Sequence, residues 1–110
     1  GFFEEANADP SYAERFDAQT RFEGFEHALL SFSRTDALAP YYDTYAALGG
    51  LPKLLIWGAD DPEIPRAHMD VLREKLENLT YVELEGAGHG VSVEREGEVN
   101  HHLAAFLTSL

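Results

Sequence analysis

A chain of 110 residues with 20 acidic and eight basic side chains has a formal net charge of −12, which repels nucleic acid and anionic lipid. At 45% hydrophobic and 12% aromatic residues it is too apolar to stay disordered despite that charge. Its length allows one small domain or a piece of a larger one. The lack of cysteine excludes disulfides, thiolate metal sites and a thiol nucleophile, and fits a cytoplasmic location. No apolar run approaches the ~20 residues that cross a bilayer, and no basic start followed by an apolar stretch marks a signal peptide. The first residue is Gly1 rather than Met, as expected of a segment from inside a longer reading frame or one that follows processing.

The first third reads as helical. Asp9-Pro10-Ser11 suits a helix start, with Pro10 early and Ser11 able to cap, and Tyr12 and Phe16 fall four apart. A second helix is expected over about 21–34, where Phe25, Leu29 and Phe32 share a face. Phe22-Glu23-Gly24 marks a joint between the two. From Thr35 to Gly50 the pattern weakens around Ala39-Pro40. Tyr41, Tyr42 and Tyr45 follow, as packing groups or as a wall facing a ligand.

Beyond Gly50 the pattern changes. Lys53 to Trp57 is a short apolar run between Pro52 and Gly58, as expected of a strand covered on both faces. A helix is expected over about 66–77, with Ala67–Val71 and Leu72–Leu76 as four-spaced pairs. Thr80 to Glu85 alternates like a strand with one more polar face. A last helix, over about 97–110, carries Val99, Leu103, Phe106, Leu107 and Leu110 as its apolar stripe. The order β-α-β-α predicts an α/β fold with parallel strands.

Ligands and reactive groups gather beyond the carboxyl ends of parallel strands. Two loops fall there: Gly58-Ala59-Asp60-Asp61-Pro62-Glu63-Ile64-Pro65 and Gly86-Ala87-Gly88-His89-Gly90. Neighbouring parallel strands lie about 4.8 Å apart, so side chains from the two ends can meet. A carboxylate facing an imidazole there fixes one ring nitrogen as N–H and leaves the other free as a general base. Gly58 allows a sharp turn, and Pro62 and Pro65 restrict the backbone around the acid. Both loops also have plainer readings. Asp-Asp-Pro is an ordinary turn into a helix, with aspartate accepting backbone N–H groups, and a histidine in a glycine loop is often simply solvated.

Trp57-Gly58-Ala59-Asp60-Asp61-Pro62-Glu63-Ile64-Pro65, followed by Gly86-Ala87-Gly88-His89 and a closing apolar helix, resembles the end of the α/β-hydrolases. In that family W-G-x-x-D-x-x-x-P carries the catalytic acid and G-x-G-H the catalytic histidine. The resemblance therefore implies Asp61 as the acid, with Asp60 its neighbour, and His89 as the histidine. It covers residues 51–110, and the segment from Phe22 to Phe32 looks like the last helix of that family's cap. The stretch Glu94-Arg95-Glu96-Gly97-Glu98-Val99-Asn100 departs from the family, where a proline is common.

The implied organisation is the end of a helical cap over 1–50 and the C-terminal β-α-β-α segment of the core over 51–110. The family's nucleophile motif, G-x-S-x-G, is absent, since Ser11, Ser31, Ser33, Ser92 and Ser109 lie in other settings. The resemblance thus implies a C-terminal piece of a serine hydrolase acting on carboxylic esters or related acyl bonds. Its partners would be a small-molecule substrate and the missing N-terminal half of the fold. A haloalkane dehalogenase or epoxide hydrolase, with an aspartate nucleophile, stays open, as does a non-catalytic module that complements another chain. No cofactor and no metal site are expected. His27 and His68 read as surface or packing groups, and His101 and His102 point about 100° apart on a helix, so they do not form a two-ligand face. Glu63 and Glu94 are candidates for the mouth of the site. Two parallel strands leave open ladder edges, so the isolated chain is expected to be marginally stable, prone to associate and inactive.

Overall fold

The computed structural model describes residues 10–36 and 39–110, so Asp9 of the expected helix start lies outside the described residues. The chain divides into two compact units, one spanning Ala8–Pro40 and one containing Tyr41–Leu110.

The first unit holds helices α1 (Ser11–Thr20) and α2 (Phe25–Ser33). Helix α1 starts after Pro10, whose fixed φ suits a first turn. The N-cap position falls on Pro10, and Ser11 is the first residue of the helix. The joint falls where glycine allows it. Gly24 adopts φ 85°, a left-handed conformation that other residues rarely take, and α2 begins at the next residue. Phe16 and Phe25 meet edge to face at 6.1 Å across the joint. Neither helix has a fully buried residue.

The second unit is a small α/β arrangement of α3 (Tyr42–Ala46), β1 (Lys53–Gly58), α4 (Arg66–Lys75), β2 (Leu79–Leu84), α5 (Val91–Glu94) and α6 (Glu96–Thr108). Strands β1 and β2 pair in parallel, from Lys53 opposite Leu79 to Gly58 opposite Leu84. The short helices α3 and α5 were not anticipated, because segments of five and four residues are too brief to show a helical period. At the start of the sheet the Lys53 ammonium donates to the carbonyls of Gly49, Leu51 and Glu77. Asn78, at φ 51°, donates from its side chain to Gly50 O.

Burial is concentrated at the other end of the sheet. Trp57, Leu84 and Ala87 are buried there, and Met69 of α4 is the other buried apolar side chain among the described residues. Strand β1 is not covered on both faces as expected. Only Trp57 and Gly58 are buried, and Lys53 to Ile56 are half-buried. Helix α6 likewise turns Val99, His102 and Phe106 inward and leaves Leu103, Leu107 and Leu110 exposed. Its apolar stripe is wider than the surface that two strands offer. Helix α4 ends with Arg73 and Lys75 in its last turn, where cations suit the helix dipole. The Tyr42 hydroxyl hydrogen-bonds His68 Nδ1, tying α3 to α4 and giving both residues packing roles, while Tyr41 and Tyr45 remain exposed. No helix among the described residues is long and apolar enough to cross a membrane.

Candidate active site

The loops that follow β1 and β2 are joined backbone to backbone. Ala59 N–H donates to Leu84 O at 3.0 Å, and Asp60 N–H donates to Ala87 O at 3.0 Å. These bonds extend the strand ladder past its end and bring the histidine loop directly over Gly58. A Cβ at Gly58 would lie 2.3 Å from Gly88 O and 2.5 Å from Ala87 O. The expected turn is present, closed by Asp61 N–H donating to Gly58 O at 3.1 Å, and the close approach of backbone is what leaves no room for a side chain at its first residue.

Within this frame Asp61 and His89 meet. Asp61 Oδ1 accepts the N–H groups of Glu63 and Ile64 at 2.7 and 2.9 Å, and Oδ2 lies 3.0 Å from His89 Nδ1. Asp61 therefore divides its oxygens, one accepting the N–H groups of the turn into α4 and the other facing the imidazole. The loop is fastened to the core by Trp57 Nε1, which donates to Ile64 O at 3.1 Å. The Asp61 side chain is only 5% exposed and that of His89 is 45% exposed. Burial alone favours the neutral acid, but the Ile64 and Glu63 N–H groups and His89 outweigh it and hold the Asp61 pKa below its ordinary value. A depressed carboxylate pKa stabilises the fold fully above the unfolded value and loses that contribution as pH falls through the folded one. The stability gap between the parent chain and Asp61→Asn is thus expected to shrink between pH 7 and pH 3, as measured by urea unfolding.

Asp60 has a different task. Its Oδ2 accepts the Gly86 N–H at 2.9 Å, so it braces the histidine loop and does not face the imidazole. Glu94 is not at the mouth of the site as expected but buried, at 8% exposure, with Oε1 accepting the Gly88 N–H at 3.1 Å. Arg95 donates to Glu85 O and Gly86 O at 3.1 and 3.2 Å. Gly86, at φ 69°, takes a left-handed conformation that side chains rarely adopt, and a Cβ there would displace the Arg95 guanidinium, 2.7 Å away. Asp60, Glu94 and Arg95 thus clamp the backbone on which His89 sits. The sequence reading missed this role, since nothing in the spacing of Glu94 and Arg95 marks them as partners of a loop six to ten residues back.

Glu63 does lie at the mouth, with Oε2 3.6 Å from His89 Nε2. Behind the acid loop, Arg66 at the start of α4 makes a two-bond pair with Glu83 of β2 at 2.8 and 2.5 Å and lies over the Trp57 ring. Arg66 holds the Glu83 carboxyl below the usual range, and burial together with the bond to Glu83 pushes the Tyr81 phenol up to about 12. His27 is exposed on α2, and the rings of His101 and His102 meet edge to face. Among the described residues no group of three or more His, Asp or Glu side chains is placed to hold a metal ion.

The fold and site together define a parallel α/β unit with a carboxylate–imidazole pair at its strand ends. No family model matches the chain. It is similar to the dihydrolipoyllysine-residue acetyltransferase component of an acetoin cleaving system from Pseudomonas putida, at 34% identity over 89 residues. The match covers 79% of this chain and 23% of that protein, so the chain spans under a quarter of the relative's length.

This relative overturns the reading drawn from the motif resemblance. Its name is that of an acetyltransferase component, not of an α/β-hydrolase. The expected esterase-like serine hydrolase with its catalytic triad is corrected on that ground. The dehalogenase, epoxide hydrolase and complementing-module alternatives are corrected with it. The physical reason is that W-G-x-x-D and G-x-G-H mark where two strand ends bring an acid and an imidazole together. Such a pair can serve many proton transfers, and its placement does not name the bond being made or broken.

Proposed function

We propose that this chain is the proton-handling part of an acyltransferase component, with His89 as general base and acid and Asp61 orienting it. The observation that carries the reading is the 3.0 Å approach of Asp61 Oδ2 to His89 Nδ1, with the other ring nitrogen directed away from the acid. In a thioester-to-thiol transfer, Nε2 takes the proton of the attacking thiol as its sulfur bonds to the acyl carbon. Asp61 stabilises the imidazolium so formed. When the carbon–sulfur bond to the donor breaks, the same proton passes to the departing sulfur and His89 is neutral again.

A thiol as acyl carrier is suggested by the relative's name, which refers to a dihydrolipoyl group on a lysine. The two lysines of this chain are poorly placed to bear such an arm. Lys53 is held by three carbonyls at the far end of the sheet, and Lys75 pairs with Asp43 at 2.9 Å. The chain therefore acts on the carried group rather than carrying it. Strands β1 and β2 are read as part of a wider parallel sheet, because the α6 stripe exceeds what two strands cover. Other protein components are the expected partners, as the relative is named a component of a larger system.

The test is acetyl transfer from an acetyl thioester to dihydrolipoamide by the protein expressed at the length its reading frame encodes. Transfer above the buffer rate is expected, and Asp61→Asn lowers kcat about 10²-fold or more by leaving the imidazole unoriented. A rate equal to that of buffer sinks the reading.

A further inference from the structure

Asp61 and His89 are each fixed within their own loop, but their meeting depends on how the two loops are joined. On the acid side, the Glu63 and Ile64 N–H groups hold Asp61 Oδ1, and Trp57 holds Ile64 O. On the histidine side, Glu94 holds the Gly88 N–H and Arg95 holds Gly86 O. Neither set of bonds crosses from one loop to the other. Asp60 crosses twice. Its backbone N–H donates to Ala87 O at 3.0 Å, and its Oδ2 accepts the Gly86 N–H at 2.9 Å. It therefore grips the histidine loop on both sides of the fully buried Ala87, one residue before Asp61 and two residues before His89. With lever arms this short, a shift at Asp60 passes almost undiminished to the acid and the imidazole. The carboxylate bond is the part of this grip that a substitution can remove while leaving the backbone ladder. Asp60 is exposed, so its truncation opens no cavity.

A neutral imidazole carries its proton on one ring nitrogen or the other, and the hydrogen bond it makes decides which. Asp61 Oδ2, 3.0 Å from Nδ1, selects the form with the proton on Nδ1 and leaves Nε2 bare. An N–H···O bond weakens beyond about 3.2 Å, so a small separation of the loops releases that selection. We infer that Asp60 is a positioning residue: by tying Gly86 to the acid loop it keeps His89 Nδ1 against Asp61, and so decides which ring nitrogen is left as the base. What the role needs is an acceptor at the place of Oδ2, not the negative charge. That the bare nitrogen serves acyl transfer rests on the acyltransferase reading, whereas the placement of the proton rests on the loop geometry alone.

The test reads the tautomer of His89 by ring ¹⁵N chemical shifts, on the neutral ring and in the protein expressed at the length its reading frame encodes. In Asp60→Ala the ratio of the Nδ1–H form to the Nε2–H form is expected to fall about tenfold, the size of a charge-assisted hydrogen bond lost or lengthened. Asp60→Asn keeps an acceptor for the Gly86 N–H and removes the charge, so it should restore the parent's ratio. Should Asp60→Ala fail to fold, Asp60→Ser, whose hydroxyl ends one atom short of the Gly86 N–H, is read in its place. A parent-like tautomer in the truncated variant overturns the inference. So does an Asp60→Asn ratio as low as that variant's, which would make the effect one of charge. Where the protein transfers acetyl groups, truncation should also lower kcat about tenfold with KM within a few-fold, since a displacement of about 1 Å costs up to 10² in rate. A shifted tautomer in a protein that transfers no acetyl group upholds the positioning role and removes only the acyltransferase reading.

Discussion

Gly58→Ala is expected to destabilise the Tyr41–Leu110 unit by about 3–5 kcal/mol, a loss comparable to the whole stability of a small domain. The added methyl would sit 2.3 Å from Gly88 O and 2.5 Å from Ala87 O. Neither oxygen belongs to a flexible side chain that could move aside. Ala87 is fully buried and its carbonyl accepts the Asp60 N–H, while the Gly88 N–H is held by Glu94. Relief requires parting the two loops, which breaks the backbone bonds that bring Asp61 and His89 together. Gly97→Ala is the matched control. Nothing lies within 4 Å of the added methyl, and in helix α6 the change is expected to stabilise by about 0.5–1 kcal/mol. Urea unfolding of the three chains checks both values. A Gly58→Ala midpoint within error of the parent would show that the loops are not packed as described.

His89→Ala is expected to lower kcat for acetyl transfer about 10²–10⁴-fold while leaving KM within a few-fold, as for a group that acts in the transition state. The side chain is nearly half exposed, so its removal opens no core cavity, and both N–H bonds to Asp61 Oδ1 remain. Loss of rate far beyond what a stability lowered by about 1–2 kcal/mol can explain, the cost of the lost bond to Asp61 Oδ2, is the expected signature. His27→Ala, on the exposed face of α2, should match the parent in both measurements. Full turnover by His89→Ala would remove the imidazole from the mechanism and leave Asp61 with only its role in the turn.

The parts of this architecture that were legible in the sequence are those carried by local pattern. The apolar run at Lys53–Trp57, the alternation at Thr80–Glu85 and the glycine joint at Gly24 each reflect chemistry within a few residues. They place β1, β2 and the α1–α2 break to within a residue or two. The two loops with Asp61 and His89 were legible for the same reason, since strand ends and glycine-rich turns are marked locally. The sequence motifs were a poor guide to the reaction, because an acid and an imidazole at strand ends support more than one kind of transfer.

By itself, then, the sequence determined a β-α-β-α order with parallel strands and a carboxylate and an imidazole placed where those strands end. Only the tertiary structure showed how they are held. Asp61 divides its oxygens between a turn and the imidazole, Asp60 braces Gly86, and Glu94 and Arg95 grip the histidine loop. It also showed that Gly58 is glycine because another stretch of backbone crosses it. These are contacts between residues far apart in the chain, or between side chain and backbone. No periodicity encodes them, because they depend on which loops the paired strands carry into reach of each other.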